Sequence, residues 1–261
     1  MELIDSHAHL QAGAFTSDAG TVLETARSAG VVRFLVPGYD VESSLAAVAF
    51  SVAHDVEAGV GVHPHVAAQA TEDDWQTIVD LAGSARVVAV GETGLDYDRG
   101  FSPREAQLAN LRRHLALGRA LGKPVILHCR SKPGARDAQD DLLREVDAAG
   151  RPAALLHSFS GPRDYAERAL EMGLAVSFSG LVFRAGEEAS AQVAHLVPVD
   201  RLLVETDSPY LSPPGASRRR NEPRWVAITA AWLAEQRGDD PVVLGEQLVA
   251  NYDAIFSRPS K

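Results

Sequence analysis

Metal-binding side chains sit in five short segments spread along the sequence, and an apolar run leads into each. His7 and His9 lie in Asp5-Ser6-His7-Ala8-His9, and Glu92 in Gly91-Glu92-Thr93-Gly94. His128 lies in Leu127-His128-Cys129-Arg130, His157 in Leu156-His157-Ser158-Phe159, and Asp207 in Glu205-Thr206-Asp207-Ser208-Pro209. His7 and His9 are two apart, so on a strand both imidazoles project to one face and can meet one cation. Asp5 shares that parity and is placed to orient a histidine from behind. Glu92 follows the run Val87–Val90 and Gly91. A carboxylate directly after a buried run is costly unless it is paired or metal-bound. Either His128 or His157 alone reads as a hydrogen-bonded core histidine, but two at equivalent strand ends point to ligation. Asp207 follows the last apolar run, where a carboxylate can bind metal and take a proton from an activated water.

Six ligands exceed the three that one catalytic zinc takes from a protein. They fit two divalent cations sharing one carboxylate, an arrangement that stabilises both oxygens of an in-line displacement. All-oxygen ligation would favour magnesium, whereas the imidazoles also admit zinc, manganese or iron. Asp207 and Glu92 are the candidate catalytic carboxylates. His63 and His65, in Gly61-Val62-His63-Pro64-His65, follow a third apolar run and are expected at the same mouth, facing substrate. His54, His114 and His195 fall in helix-like stretches and read as structural or solvent-facing. Cys129, beside His128, reads as a packing residue rather than a nucleophile.

These ligands need a scaffold that brings distant strand ends together. Apolar, β-branched runs recur at Leu3–Ile4, Val31–Val36, Ala58–Val62, Val87–Val90, Pro124–Leu127, Ala153–Leu156, Leu174–Phe178 and Leu202–Val204. Helix-like stretches lie between them, among them Ser17–Ala29, Glu42–Ala53, Thr71–Leu81, Pro103–Leu121, Arg163–Met172 and Glu187–Leu196. Thr71 with Asp74 reads as a helix N-cap with an acidic first turn, and Gly30, Gly122, Gly150 and Gly173 read as helix stops. Wholly apolar strands alternating with helices predict a parallel sheet covered on both faces. Eight such units in 261 residues fit an α/β protein of the (β/α)8 TIM-barrel type, a single domain over 1–261, better than an open doubly wound sheet. Neither a dinucleotide fingerprint nor a Walker-type loop is present. Pro223–Gln236 and Val242–Phe256 read as closing helices at the C-terminus.

The composition narrows the setting. The apolar fraction is 46%, enough for a full core, and no apolar stretch approaches the ~20 residues of a membrane span. The N-terminus runs straight into a polar motif with no signal-peptide pattern, and Cys129 is the sole cysteine, so a reducing, cytoplasmic setting is expected. A net charge of −10 argues against bulk duplex binding. It leaves room for a phosphate substrate, since metals and a local arginine cluster reverse the potential within a cleft. Arg218, Arg219 and Arg220, with Arg224 close behind, form such a cluster or else a solvated loop.

Taken together, these motifs with Gly91-Glu92-Thr93-Gly94-Leu95-Asp96-Tyr97, His157-Ser158-Phe159-Ser160-Gly161, Glu205 through Leu211, and Arg220-Asn221-Glu222-Pro223 resemble the TatD family of metal-dependent deoxyribonucleases, within the amidohydrolase superfamily. The resemblance covers nearly the whole chain, in order. It implies a distorted TIM barrel and a metal-dependent phosphodiesterase acting on DNA, with single strands or 3′ ends as the expected substrate and a monomer as the expected state. It also implies that His7, His9 and Asp207 bind one metal, Glu92 bridges, and His128 and His157 hold the second. His63 and Arg130 would face the scissile phosphate, and Arg220 and Asn221 would lie near the site. The chain departs from the family pattern at the Arg130–Asp137 loop, at Ser158 in place of the usual Cys, at Asp98 in place of a second Tyr, and in Gly215–Arg219, which lacks the usual Arg-Gly pair. A rival chemistry on the same site is hydrolysis of an ester, lactone or amide, such as deacylation of D-aminoacyl-tRNA. A further rival is a metal-binding protein without turnover.

Overall fold

The computed structural model describes residues 1–256. Eight parallel strands form one sheet in sequential order: β1 (Leu3–Asp5), β2 (Val31–Pro37), β3 (Glu57–Val60), β4 (Val87–Asp96), β5 (Val125–Arg130), β6 (Ala154–Leu156), β7 (Ala175–Phe178) and β8 (Leu202–Val204). The Ser6 N–H donates to the Val204 carbonyl at 3.1 Å, and Ala8 pairs with Ser208, so the last strand closes onto the first. The result is a nearly closed (β/α)8 barrel of the TIM type. Its strands are buried on both faces, which is why they read as continuous apolar runs rather than alternating ones. All ten residues of β4 are buried.

The covering helices are α1 (Ala19–Ser28), α2 (Val41–His54), α3 (Glu72–Ala82), α4 (Arg104–Leu121), α5 (Asp137–Ala148), α6 (Arg163–Glu171), α7 (Glu188–Ala194), α8 (Val226–Arg237) and α9 (Pro241–Ile255). Polar side chains cap the N-termini of α2, α3 and α9. Asp40 with Ser43 opens α2 and Thr71 with Asp74 opens α3, each as a reciprocal capping box that satisfies end N–H groups. Gly122 stops α4 in the left-handed region at φ 63°. For α5 the sequence pattern marks the stop at Gly150 but not the start. Its N-terminal support is a side chain in the preceding loop, where Ser131 Oγ accepts the Ala138 N–H at 2.9 Å.

Two local differences from the expected strands matter for the site. β4 does not end at Val90 before a loop. It continues through Glu92 to Asp96, with Gly94, Leu95 and Asp96 registered against His128, Cys129 and Arg130. The register shifts between Val90 and Thr93, and this irregularity carries the Glu92 carboxylate. Conversely, β1 ends at Asp5, so His7 and His9 lie beyond the regular strand, in an extension held by the Ala8–Ser208 bridge.

Candidate metal centre

The six side chains singled out by the spacing converge at the C-terminal ends of the strands, where barrels of this type carry their chemistry. Glu92 is at the middle. Its Oε2 lies 3.3 Å from His7 Nε2 and 3.7 Å from His9 Nε2. Its Oε1 lies 3.0 Å from His157 Nε2, 3.2 Å from His63 Nε2 and 3.4 Å from His128 Nδ1. Asp207 completes the first group, with Oδ1 3.5 Å from His9 Nε2 and 3.8 Å from His7 Nε2. One carboxylate thus presents each oxygen to a separate set of imidazoles. His7, His9 and Asp207 form one cluster of potential ligands, and His63, Glu92 and His128 another.

Backbone geometry makes this possible. Gly94 adopts φ +139°, and a Cβ there would come within 2.0 Å of the His128 carbonyl oxygen. Only glycine lets β4 run that close to β5 and bring Glu92 beside His128. Asp207 sits at φ 54°, in the left-handed region that Asp tolerates better than most residues. There its N–H donates to the His7 carbonyl at 2.8 Å, while the His9 N–H donates to the Ser208 carbonyl at 2.8 Å.

The donor set fits divalent cations. The Pro37 carbonyl is 3.0 Å from His9 Nδ1, Glu205 Oε1 is 3.1 Å from His157 Nδ1, and Asp96 Oδ2 is 3.2 Å from His128 Nε2. Each acceptor fixes the proton of a neutral ring on the far nitrogen and leaves the near nitrogen's lone pair facing Glu92. His7 Nε2 and His9 Nε2 are 3.2 Å apart, two nitrogens aimed at one point. His7 Nδ1 and Glu205 Oε2 are buried without a hydrogen-bond partner. Burial also lowers the pKa of His7 and pulls His63 down to about 4, so both rings stay in the neutral form that ligates metal.

The other expected residues divide. His65 reaches the mouth, but its Nε2 is 2.7 Å from Asp96 Oδ2, the oxygen that also meets His128. Asp5 does not orient an imidazole. Its carboxylate accepts the backbone N–H groups of His7 and Thr206 and the Thr206 hydroxyl, and so ties β1 to the segment after β8. Asn221 is fully buried, donating to the Thr206 carbonyl and accepting the Glu222 N–H, so it supports the loop instead of facing substrate. Arg220 is committed to Asp18, at 2.8 and 2.9 Å, and to Glu222 at 2.9 Å, and it stacks over Phe15. Arg130 is half-exposed, and its Nε pairs with Asp98 Oδ2 at 2.9 Å, so the departure at Asp98 partly neutralises it. Ser158, the other departure close to a candidate ligand, turns its hydroxyl to Ser179 at 2.6 Å. Desolvation pushes the Cys129 thiol up to about 12, consistent with packing.

Sequence reasoning passed over Glu205 as an orienting group, and Asp96 altogether. Both lie inside quoted motifs, and Asp96 is four residues from Glu92. A carboxylate that close to a ligand and next to an apolar residue is the available signal, but its partner is set by strand register. Burial opposes charge on Asp96, yet hydrogen bonds from His128, His65 and the Arg99 N–H hold it well below the carboxylate range.

Residues 4–257 match the family model described as TatD related DNase. The chain belongs to that family. It is 36% identical over 263 residues to the 3′-5′ ssDNA/RNA exonuclease TatD of Pectobacterium parmentieri, covering 97% of this chain and 99% of that one. It is 34% identical over 236 residues to the metal-dependent hydrolase YabD of Bacillus subtilis, itself uncharacterized, covering 89% and 90%. Among solved structures, the TatD homologue YJJV of Escherichia coli superposes with a TM-score of 0.88 at 28% identity, over 98% of each chain. A lactonase of Listeria monocytogenes, at 14% identity and TM-score 0.64, shares the fold alone. Like its family, this TatD-related chain is a metal-dependent hydrolase of the nuclease type. Among the described residues, no helix is long and apolar enough to cross a membrane.

Proposed function

We propose that this chain is a two-metal exonuclease that shortens single-stranded nucleic acid from its 3′ end, working in the cytoplasm as a monomer. The observation that carries the reading is the division of Glu92, whose two oxygens face separate imidazole groups. His7, His9 and Asp207 would hold one cation, His128 and His157 the other, and Glu92 would bridge. His63 lies as close to Glu92 as these do and would either complete the second set or meet the phosphate. The imidazoles suit zinc or iron, and the carboxylates admit magnesium or manganese. Bound there, the cation pair supplies an activated water and neutralises charge on the phosphate oxygens. Asp207 takes the proton of the attacking water. Its side chain is 15% exposed, open enough toward the mouth to reach that proton. Every one of these groups comes from the same chain, so one copy suffices. The ends named for the Pectobacterium relative supply the polarity.

The test is digestion of 5′- and 3′-labelled oligonucleotides, single- and double-stranded, by metal-reconstituted protein, with metal content measured alongside. Stepwise shortening from the 3′ end of single strands with two metals per chain is expected. Loss of nucleotides from the 5′ end, or faster turnover of lactones or aminoacyl esters than of DNA, would overturn the reading.

A further inference from the structure

Of the sixteen aromatic side chains (three Trp, five Tyr and eight Phe), all lie in the described residues, and only Phe101 and Tyr210 are exposed, at 63% and 56%. Both stand at the mouth. Phe101, in the loop between β4 and α4, meets the His65 ring edge-on with centroids 4.8 Å apart. Tyr210, in the segment after β8, meets the His9 ring in a T-shaped contact at 6.1 Å. His65 contacts Asp96, which also contacts His128, and His9 contacts Asp207, so the two exposed rings flank opposite groups of the centre. Folding hides the large aromatic rings elsewhere because their burial is favourable. Leaving two of them in water, both beside the reacting groups, is what a binding surface for flat apolar ligands requires.

Two of the arginines expected at the mouth are already engaged. The chain carries a net −10, Arg220 is engaged by Asp18 and Glu222, and Arg130 is paired with Asp98. Unpaired bases offer π-faces of every sequence to such rings, whereas bases inside a duplex are covered by their neighbours. We propose that Phe101 and Tyr210 are stacking platforms for the unpaired bases on either side of the scissile phosphate. The inference rests on the nuclease reading above and accounts for a preference for single strands.

The test compares kcat/KM on a single-stranded oligonucleotide with kcat/KM on an oligomer of tetrahydrofuran abasic sites of the same length, which has no aromatic ring to stack, for the wild type, F101A, Y210A, the double variant, and the ring-preserving F101W and Y210F. Each alanine should lower the ratio about 10-fold, and the ring-preserving variants should restore it. An oligonucleotide abasic at its two terminal positions should be a poor substrate for the wild type and should lose nothing further in the double variant. A phosphorothioate-ended oligonucleotide carrying 2-aminopurine should be quenched on binding the metal-loaded wild type and not the double variant. If the alanine variants keep the wild-type ratio, or the abasic strand is cut as fast as the intact one, the stacking inference is overturned while the nuclease reading stands. If the wild type itself does not cut single strands, the nuclease reading fails first.

Discussion

The two halves of the centre are held by different means. Around His7, His9 and Asp207 the support is backbone: Ala8 bridges to Ser208, Asp207 and His9 exchange main-chain hydrogen bonds with the facing segment, and the Pro37 carbonyl orients His9. Around His63, His128 and His157 it is side chains: Asp96 holds His128, Glu205 holds His157, and His114 with Asn110 of α4 grips Val62, next to His63. Burial does not follow the same division, since the His157 side chain is 4% exposed and that of Asp207 15%. Behind the half at the barrel seam the one side chain is Asp5, which ties backbone to backbone and touches no imidazole. A half built on carboxylate and helix relays can be loosened one side chain at a time.

Glu92 belongs to both halves, so its loss is the largest effect. Glu92→Gln should empty both sites and lower turnover by on the order of 10⁴-fold, since ligation of a cation pair supplies several kcal/mol of charge stabilisation. Metal analysis on the variant checks it. Retention of one full equivalent would show that one half binds without the bridge.

Asp207→Asn confines the damage to the backbone-held half. The amide keeps the shape and loses the proton acceptor, so turnover should fall ~10²–10⁴-fold with the fold intact. Circular dichroism and single-turnover kinetics decide it, and near-normal rates at full metal occupancy would rule out Asp207 as the base.

Asp96→Asn and Glu205→Gln test the relay-held half. Each should weaken binding of one metal equivalent about 10–100-fold and leave the other equivalent nearly unchanged. Isothermal titration resolves the two. Equal weakening of both would erase the distinction between the halves.

The smallest effect is a pH dependence of stability through His114. Burial lowers its pKa from 6.5 to about 4. Its Nδ1 faces the Asn110 carbonyl at 2.8 Å, and its Nε2 accepts the Val62 N–H at 3.0 Å, a bond that a protonated ring cannot accept. The folded state therefore prefers the neutral ring. The contribution is complete above pH 6.5 and is lost as pH falls toward 4, where the unfolded chain alone takes up the proton. It amounts to on the order of 3 kcal/mol. Urea unfolding of the wild type and of His114→Gln at pH 7.5 and 4.5 should show the wild type losing more. Parallel losses would place the pH dependence elsewhere, for instance at His63.

Much of the scaffold was legible because parallel barrel strands are buried on both sides. Leu202–Val204 reads as a strand since every residue there is buried, and Val31–Val36 since all but Val32 and Arg33 are. The site residues His7, His9 and Glu92 stood out because a polar group directly after such a run has few uses. Less legible were the strand ends. β4 runs six residues past Val90 because Gly91 and Gly94 let it follow β5 closely, which no pattern of hydrophobicity announces. The stop at Gly150 marked the end of α5, but its start was not legible because Pro133-Gly134 precedes it and its N-terminal partner is Ser131, outside the helix.

The sequence by itself determined the barrel class and the set of chemically capable residues, because periodicity, burial cost and residue type are local properties. Tertiary structure alone decided which side chain serves which neighbour. It turned Asp5 to Thr206 instead of to an imidazole, tied Arg220 to Asp18 over two hundred positions away, buried Asn221, and made Asp96 and Glu205 the partners of His128 and His157. The physical reason is that a hydrogen bond depends on distances of a few tenths of an ångström. Those distances come from the register between strands and the closure of the barrel, and neither is encoded in any one segment.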